Sequence, residues 1–288
     1  MTNILSLMRL HQWIKNIFLF APLFFTFNFQ SESFLDVTLG FTIFCLAASS
    51  IYILNDYKDI LEDQVHPTKK NRPLASGAVS KHSAISLMVV LSFIAVYGGF
   101  VLSPSFLAIV ILYMLLNIAY TFKLKHISIL DISIISIGFV LRVYAGATLI
   151  NNTPSMWIVL VTFVLALFLA LAKRRDDCLL SLEGKKTRKN IDGYNLEMVN
   201  AAMTLMAGVT VVSYIMYTVS PEVITRLGTH NLYLTSFFVV IGILRYMQLT
   251  FVEHNSGSPT KLVLKDRFLQ LVLVGWLSSF YLIAKIFN

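Results

Sequence analysis

Charged residues are scarce in this 288-residue chain, where they make up 13% of the sequence. A soluble domain usually carries about 25% charged residues. Hydrophobic residues reach 57%, and the mean hydropathy is +0.74. So little polar surface cannot cover a water-soluble globule, which excludes a soluble enzyme and a disordered protein. The composition therefore predicts an all-α polytopic membrane protein, because a helix satisfies its own backbone polar groups within lipid.

Cysteine is also scarce, with two residues in the chain. Cys45 lies in an apolar run and Cys178 in a basic stretch, and their spacing matches neither a zinc site nor a disulfide framework. A secreted disulfide scaffold is therefore excluded, and neither cysteine is assigned a function. A small-residue cleavage site is missing around the first apolar run, which is interpreted as a retained helix.

Apolar runs of about 20 residues are long enough to span the hydrocarbon core of a membrane. Residues 83–122 contain no charge and are too long for one span, so Gly98, Gly99, Ser103 and Pro104 are interpreted as a turn between two helices. The sequence predicts nine membrane-spanning helices. Their predicted ranges are 16–31, 37–54, two within 83–122, 131–150, 155–172, 199–220, 227–244 and 268–284.

Basic residues concentrate on alternate connections between these helices. By the positive-inside rule, this asymmetry places the N-terminus in the cytoplasm and the C-terminus outside a cell membrane. The excess of bases therefore follows topology and does not indicate nucleic-acid binding. Of the 23 lysines and arginines, 19 fall on the predicted cytoplasmic side: Arg9, Lys15, Lys58, Lys69, Lys70, Arg72, Lys81, Lys123, Lys125, Lys173, Arg174, Arg175, Lys185, Lys186, Arg188, Lys189, Lys261, Lys265 and Arg267.

Two predicted cytoplasmic loops are much longer than the outer connections, at about 57–83 and 173–199. Long loops in a compact fold are usually functional. The two loops follow the second and the sixth predicted helix, a spacing that suggests two related halves, as in other membrane proteins with internal repeats.

Oxygen-bearing side chains cluster where the second helix is predicted to end, at Asn55, Asp56, Asp59 and Asp63. If the helix continues through them, the three aspartates lie at i, i+3 and i+7 and share one face. Three carboxylates on one face repel one another, and a bound hard cation would relieve this repulsion. Mg²⁺ takes one or two carboxylates together with water and phosphate oxygens. The cluster therefore predicts a magnesium site.

Cations follow this acidic cluster closely, among them Lys69 and Arg72. Lysine and arginine are phosphate donors, and a diphosphate is well held between a metal on one side and cations on the other. Two alternatives remain open at this point. The bases could be topology signals alone, or Lys58 and Lys69 could neutralise a solvated helix end that binds no metal.

The string Asn55-Asp56-x-x-Asp59-x-x-x-Asp63, followed by Arg72-Pro73-Leu74, resembles the first aspartate-rich motif of the UbiA superfamily of intramembrane transferases. The resemblance covers the whole chain and implies a single domain over residues 1–288. It implies about nine helices around a central cavity, with a Mg²⁺–diphosphate site at its cytoplasmic mouth and two long loops capping it.

The second motif departs from the usual pattern of this superfamily, which is Asp-x-x-x-Asp after the sixth helix. Here Asp176 and Asp177 are adjacent and follow Lys173-Arg174-Arg175. More positive charge suits a sugar diphosphate with a second phosphate. This departure, together with Leu10-His11-Gln12-Trp13-Ile14-Lys15-Asn16, resembles the branch of the superfamily that transfers phosphoribose.

The resemblance implies transfer of 5-phosphoribose from phosphoribosyl diphosphate to a polyprenyl phosphate lipid, with Mg²⁺ as the cofactor and diphosphate as the leaving group. Asn55, Asp56, Asp59 and Asp63 are the implied metal ligands, and Asp177 joins the three aspartates as a catalytic residue. The predicted substrate-binding residues are Gln12, Lys15, Asn55, Lys69, Arg72, Lys123, Lys125, Asp131, Arg142, Lys173 and Arg174.

Arg142 is predicted to lie about 16 Å deeper than Asp131 along one helix face, at about 1.5 Å per residue. A cation at such a depth is often functional, and a packing residue satisfied by an ion pair or by carbonyls is the alternative. Two rival functions remain open, an aromatic prenyltransferase using prenyl diphosphate and a transporter or lipid-binding protein without chemistry. Homo-oligomer formation also stays open.

Overall fold

The computed structural model describes residues 2–65, 69–183, 193–253 and 259–286. These residues form two compact units, 1–154 and 155–288, which are described separately. The single domain predicted over the whole chain remains a prediction. Parts of the two predicted loops, at 66–68 and 184–192, lie outside the described residues.

The first unit consists of helices of very different length. Its elements are α1 (Thr2–Met8), a 3₁₀ segment (Leu10–Phe20), α2 (Ala21–Thr26), α3 (Ser31–Lys58), α4 (Ile60–Gln64), α5 (Lys81–Leu102), α6 (Pro104–Phe122) and α7 (Leu130–Leu149). Short 3₁₀ turns also form at Lys69–Asn71 and Leu124–His126. Helix α3 packs against α5, α6 and α7 and is the central element of this unit.

The second unit is also helical. Its elements are α8 (Met156–Leu182), α9 (Leu196–Thr218), α10 (Pro221–Leu227), a 3₁₀ turn (Asn231–Thr235), α11 (Ser236–Phe251), α12 (Pro259–Lys265) and α13 (Arg267–Ile286). Helix α8 packs against α9, which also contacts α11, and α11 packs against α13.

Eight helical stretches within the described ranges are long and apolar enough to cross a membrane. They are α3, α5, α6, α7, α8, α9, α11 with its preceding 3₁₀ turn, and α13. The prediction of an all-α polytopic membrane protein is confirmed, and the described part of the chain contains no strand. The count of nine helices and the central cavity stay predictions.

The first predicted helix, at 16–31, is wrong as a continuous α-helix. A 3₁₀ segment ends at Phe20, and α2 ends at Thr26, where Phe27 takes a left-handed conformation with φ of 58°. The 3₁₀ segment approaches α7 so closely that a Cβ atom on Gly146 would lie 1.9 Å from the carbonyl oxygen of Leu19. Tertiary packing on α7 therefore accompanies the departure from regular α-helical geometry.

The uncharged run 83–122 divides as predicted, since α5 ends at Leu102 and α6 begins at Pro104. Ser103 lies between them with an extended backbone, and its hydroxyl accepts a hydrogen bond from the amide of Phe106 at 3.4 Å. Serine is a favourable N-cap, and proline is well tolerated at the first helical position. The two residues therefore end one helix and begin the next.

The sixth predicted helix ends too early, because α8 continues ten residues beyond Ala172 to Leu182. Lys173, Arg174 and Asp177 therefore lie on a helix and not in a loop. The extension is rich in arginine and leucine and contains no glycine or proline, so its intrinsic helix propensity is high. The charges that suggested a loop are carried by the polar end of a long helix.

An apolar cluster lies behind the polar end of α3 in the first unit. Leu7, Ile53, Ile60, Leu74 and Ala84 are buried together, each at most 8% exposed. They come from α1, α3, α4, the connection that follows α4, and α5. Burial of each large side chain favours the folded state by about 1.5–3 kcal/mol. The cluster therefore holds the connection that carries Arg72 against the ends of α3 and α4.

Candidate active site

The acidic motif lies at a break between two helices. Helix α3 ends at Lys58, Asp59 takes a turn conformation, and α4 begins at Ile60. The chain keeps its helical direction there, since the amide of Asp59 donates to the carbonyl of Asn55 at 3.0 Å and the amide of Asp63 donates to that of Asp59 at 2.8 Å. The uninterrupted helix on which the one-face arrangement depended is therefore not formed.

Two carboxylates of the motif pair with arginine, and Asp56 is the more buried of them, at 2% exposed. Arg9 donates to it from two nitrogens, from Nη2 to Oδ1 and from Nε to Oδ2 at 3.3 Å. Arg72 Nη1 donates to Oδ1 at 3.0 Å. Hydrogen bonds between ionised partners are the stronger kind, and the two guanidinium groups offset part of the cost of burying this one carboxylate.

Arg72 also connects Asp56 to Asp63. The same Nη1 atom donates to Asp63 Oδ2 at 2.6 Å, and Asp63 is 3% exposed. The two carboxylates therefore meet at one guanidinium nitrogen, although Asp59 separates the helices that carry them. The spacing of Asp56 and Asp63 along the chain predicts that the two side chains lie close together, and both contact Arg72 in the structure.

Asp59 points to a different cation. Lys125 Nζ lies 2.5 Å from Asp59 Oδ1, and both side chains are mostly buried. Lys58, the residue proposed above as a neutralising partner, lies with Nζ 5.5 Å from the centroid of the Phe122 ring. Arg9, Arg72 and Lys125 therefore each contact at least one of the three aspartates.

The sequence did not single out Arg9 as a site residue, and the structure explains its position. Arg9 takes a left-handed conformation with φ of 51° and ψ of 52° between α1 and the 3₁₀ segment. Ser49 on α3 fixes this bend, because its hydroxyl donates to the carbonyl of Met8 at 2.9 Å and accepts from Trp13 Nε1 at 3.0 Å. The local sequence does not predict such a bend, and from the sequence alone Arg9 is interpreted only as a topology signal.

No group of three His, Cys, Asp or Glu side chains converges as a metal site within the described ranges. The predicted three-carboxylate arrangement of Asp56, Asp59 and Asp63 is therefore not formed, because Asp59 turns towards Lys125. Asp56 and Asp63 still supply adjacent carboxylate oxygens. Mg²⁺ needs one or two carboxylates together with phosphate oxygens, so the donor chemistry of this pair fits that ion.

Arg142 is buried in α7, at 4% exposed. Its Nε donates to Asn16 Oδ1 at 2.7 Å, its Nη1 to the carbonyl of Gly138 at 2.7 Å, and its Nη2 to the hydroxyl of Tyr113 at 3.2 Å. Within the described part of the chain it contacts no carboxylate. Its charge is also faced by three aromatic rings, those of Phe44, Tyr113 and Phe139.

Lys15 is partly buried in the 3₁₀ segment, near two other cations. Burial, followed by the positive charges of Arg142 and Arg9, lowers the pKa of Lys15 to about 8. No hydrogen bond or ion pair of the Lys15 side chain is found among the described residues. Two positive charges, Lys15 and Arg142, therefore lie close together, and neither has a carboxylate partner among the residues that the structure describes, an arrangement that favours the approach of an anion.

The second unit contains its own charged cluster at the end of α8. Arg174 is 1% exposed and forms an ion pair with Asp177. Arg175, which is not among the site residues predicted from the sequence, connects α8 to α9 and α11 through hydrogen bonds. Its Nε donates to Asn200 Oδ1 on α9 at 3.0 Å, and its Nη1 donates to the carbonyl of Thr250 on α11 at 2.7 Å.

The remaining predicted residues occupy both units. Asn55 and Gln12 are partly buried, and the amide of Gln12 donates to the carbonyl of Arg9 at 2.7 Å. Asp131 is fully buried in the first turn of α7. The basic residues that complete the set are the partly buried Lys69 and the exposed Lys123 and Lys173.

The helical architecture and the apolar surface of the long helices define a polytopic membrane protein, and the carboxylate–guanidinium cluster lies at the ends of its helices. Residues 17–272 match the UbiA prenyltransferase family. The chain belongs to this family, and it is an enzyme of the membrane-transferase class.

Two relatives carry the same name over nearly their whole length. A decaprenyl-phosphate phosphoribosyltransferase from Mycolicibacterium smegmatis is 33% identical over 290 residues, which cover 96% of this chain and 91% of that protein. The protein of this name from Corynebacterium glutamicum is 32% identical over 282 residues, which cover 95% of this chain and 84% of that protein.

Solved structures share the fold at low sequence identity. A UbiA homolog from Archaeoglobus fulgidus bound to DMAPP and Mg²⁺ has a TM-score of 0.70 and 15% identity, with 98% of this chain and 99% of that chain covered. The same homolog bound to GPP and Mg²⁺ has a TM-score of 0.71 and 16% identity over equal shares. This similarity supports the all-α membrane fold.

Proposed function

We propose that this enzyme transfers 5-phosphoribose from phosphoribosyl diphosphate to a polyprenyl phosphate lipid and releases diphosphate. The names of the relatives that match nearly the whole chain support this reaction. The observation that carries it in the structure is the pairing of Asp56 and Asp63 with Arg9 and Arg72. Carboxylates for a metal and guanidinium groups for phosphates lie side by side there, as a diphosphate substrate requires.

Asn55, Asp56, Asp59 and Asp63 are the proposed ligands of Mg²⁺. When bound, this ion would neutralise charge that develops on the leaving diphosphate. Asp56 and Asp63 support the assignment best, because their oxygens meet at one nitrogen of Arg72. Asp59 lies one turn away and would join the set from its place beside Lys125.

The cations of the first unit bind the phosphates of the donor in this proposal. Arg72 contacts the carboxylates directly, and Lys69 begins the short 3₁₀ turn that leads to it, since the amide of Arg72 donates to the carbonyl of Lys69 at 2.9 Å. Guanidinium binds phosphate oxygens through two nitrogens at once. Asp131 is proposed to orient the ribose hydroxyls. In the second unit, Lys173, Arg174 and Asp177 remain proposed substrate-binding and catalytic residues.

In the transfer, a phosphate oxygen of the lipid forms a bond to C1 of the ribose, and the bond between C1 and the diphosphate oxygen breaks. The electron pair of that bond leaves with the diphosphate. The ribose passes through an oxocarbenium-like transition state, as in other glycosyl transfers. The second pKa of a phosphate monoester is about 6, so the acceptor is already an anion at pH 7 and needs no strong general base.

The acceptor phosphate is proposed to approach past the bases near the ends of the first-unit helices. Lys15, with Gln12 beside it, provides a charge that has no carboxylate partner in the described chain. Lys123 is exposed at the end of α6 and would attract the anionic headgroup. Arg142 lies deeper, and its hydrogen bonds to Asn16, Gly138 and Tyr113 would hold its charge in place near the lipid.

The enzyme is proposed to lie in the plasma membrane, with its N-terminus and active site in the cytoplasm and its C-terminus outside. The alternation of basic residues between connections supports this orientation. Reporter fusions after Lys125 and after Asn288 test it directly. Activity of a periplasm-dependent reporter at the C-terminal position alone is expected, and the reverse pattern would reject the orientation.

A labelled-donor assay tests the reaction. Purified protein is incubated with radiolabelled phosphoribosyl diphosphate, decaprenyl phosphate and Mg²⁺, and label is measured in the organic extract. Label that enters the lipid phase and is abolished by EDTA is expected. If the protein instead joins a labelled prenyl diphosphate to an aromatic acceptor, the aromatic prenyltransferase alternative is correct. Absence of both reactions would favour a transporter or lipid-binding protein.

A further inference from the structure

Arg9 is aimed at Asp56 by three contacts along one face of α3. Ser49, Tyr52 and Asp56 lie at i, i+3 and i+7, which places them on the same side of a helix. Ser49 binds the bend next to Arg9, the Arg9 guanidinium lies 5.4 Å from the centroid of the Tyr52 ring, and the guanidinium nitrogens reach Asp56. The N-terminal segment therefore packs on α3 in a position that places the Arg9 guanidinium against the Asp56 carboxylate.

The backbone of Arg9 is strained in this arrangement. A left-handed conformation is unfavourable for a residue with a Cβ atom, and glycine adopts it readily. An arginine at this position must therefore be held by its own contacts, and the contacts that hold it include the two hydrogen bonds to Asp56.

Arg9 and a divalent cation would need the same atoms. Asp56 Oδ1 accepts from Arg9 and Arg72, and Oδ2 accepts from Arg9. Arg72 has a second carboxylate, Asp63, whereas Asp56 is the one carboxylate that Arg9 contacts within the described ranges. A cation that binds Asp56 must therefore displace Arg9 in preference to Arg72, because Arg72 keeps a partner.

We propose that Arg9 competes with the divalent cation for the Asp56 carboxylate and, once displaced, binds the diphosphate of the donor. The Ser49 contact keeps the base of the side chain in place, so the guanidinium stays within a side chain's length of the cation. A displaced guanidinium beside a metal-bound diphosphate gains a bidentate anionic partner in exchange for the one it loses. This inference rests on the proposed function, because it needs a diphosphate donor at Asp56.

Removal of the Arg9 side chain should change two affinities in opposite directions, one for the cation and one for diphosphate. Without the competing guanidinium, the donor-free protein should bind the cation more tightly. Without the same guanidinium, the cation-loaded protein should bind diphosphate more weakly. A residue that only anchored the N-terminal segment would weaken both interactions or neither.

The experiment uses the full-length protein in detergent with Mn²⁺ and inorganic diphosphate as the probes. Free Mn²⁺ is measured by electron paramagnetic resonance, and diphosphate binding is measured by calorimetry at saturating Mn²⁺. For Arg9→Gln, we expect the Mn²⁺ dissociation constant to fall about fivefold and that of diphosphate to rise about tenfold, as for loss of one charged hydrogen-bonding partner. Arg226→Gln is the matched control, since Arg226 pairs with Glu222 in an exposed ion pair.

Arg9→Gly is a second variant that also removes the guanidinium. It should fold normally, because glycine readily adopts the left-handed backbone conformation at this position. It should show the same two shifts, with a thermal unfolding midpoint near that of the unmodified protein. Unchanged or weaker Mn²⁺ binding in both variants, or unchanged diphosphate binding, would overturn the proposal. If the two shifts occur but no phosphoribose is transferred, the exchange at Asp56 stands and the proposed reaction fails. Transfer without the shifts rejects the role of Arg9 alone.

Discussion

Lys125 Nζ lies 2.5 Å from Asp59 Oδ1, across 66 residues of sequence. Lys125 belongs to the short turn between α6 and α7, and Asp59 lies at the break between α3 and α4. The pair joins two connections at the same end of the first unit. It also draws Asp59 away from the guanidinium that Asp56 and Asp63 share, which divides the acidic motif into a pair and a single residue.

The Asp59–Lys125 pair is expected to matter for catalysis and not for folding alone. Asp59→Ala should lower turnover by at least about 100-fold, the usual effect of removing one electrostatic group of an active site. Lys125→Gln should lower it about tenfold, and the double variant should be no slower than Asp59→Ala, because the two residues act together. Steady-state rates with labelled phosphoribosyl diphosphate measure all three. Near-normal transfer by Asp59→Ala would reject Asp59 as a metal ligand.

Asp63→Asn tests the carboxylate pair at Arg72. Asparagine keeps the shape of the side chain and removes its charge, so we expect the affinity for Mn²⁺ to fall about tenfold and turnover about 100-fold. Glu222→Gln, which breaks an exposed ion pair with Arg226, should change neither quantity. The measurements are Mn²⁺ titration and the transfer assay. Mn²⁺ binding by Asp63→Asn equal to that of the unmodified protein would contradict the proposed ligand set.

The charged form of Lys15 should destabilise the folded protein near neutral pH, and the same charge should favour binding of the substrate phosphate. Its pKa falls from 10.5 to about 8 in the folded protein. Between these two values the unfolded chain holds more protons, so the stability of the folded protein rises with pH across this window. Below pH 8 the full penalty is present. Lys15→Met should therefore be more stable than the unmodified protein at pH 7, on the order of 1 kcal/mol after screening.

Thermal unfolding of both proteins at pH 7 and at pH 10 checks this prediction. The advantage of Lys15→Met should be about 2–4 °C at pH 7 and should shrink towards zero at pH 10. The same variant should bind the lipid phosphate more weakly, since an anionic ligand interacts with the charged form of lysine. A variant that is less stable than the unmodified protein at pH 7 would show that Lys15 has a stabilising partner.

Arg175 is expected to stabilise the second unit by joining α8 to α9 and α11. Arg175→Leu removes hydrogen bonds to the partly buried Asn200 and to the carbonyl of the buried Thr250, and it leaves both acceptors without this donor. The loss should be about 2–4 kcal/mol, and Arg175→Lys should recover part of it. Thermal unfolding in detergent measures the effect, with Arg226→Gln as the control. An unchanged midpoint for Arg175→Leu would contradict this role.

Much of the fold could be predicted from the sequence, because uncharged runs and helix-capping residues are recognised from neighbouring positions in the chain. Uncharged runs identified the long helices, and the serine and proline at positions 103 and 104 placed the division between α5 and α6 correctly. The failures have tertiary causes. The segment 16–31 packs closely on α7 at Gly146 and does not form one α-helix. Helix α8 runs past the predicted end, where Arg174 pairs with Asp177 on the same helix and Arg175 bonds to α9 and α11.

The amino-acid sequence by itself determined that this protein is a helical membrane enzyme with oxygen ligands and cations near one another, because hydropathy and short-range motifs need no knowledge of distant contacts. Only the tertiary structure decided which cation meets which carboxylate. Arg9, Arg72 and Lys125 reach their partners across 47, 16 and 66 residues. Such pairings depend on where a break in α3, a left-handed bend at Arg9 and an apolar cluster around Leu74 place the backbone.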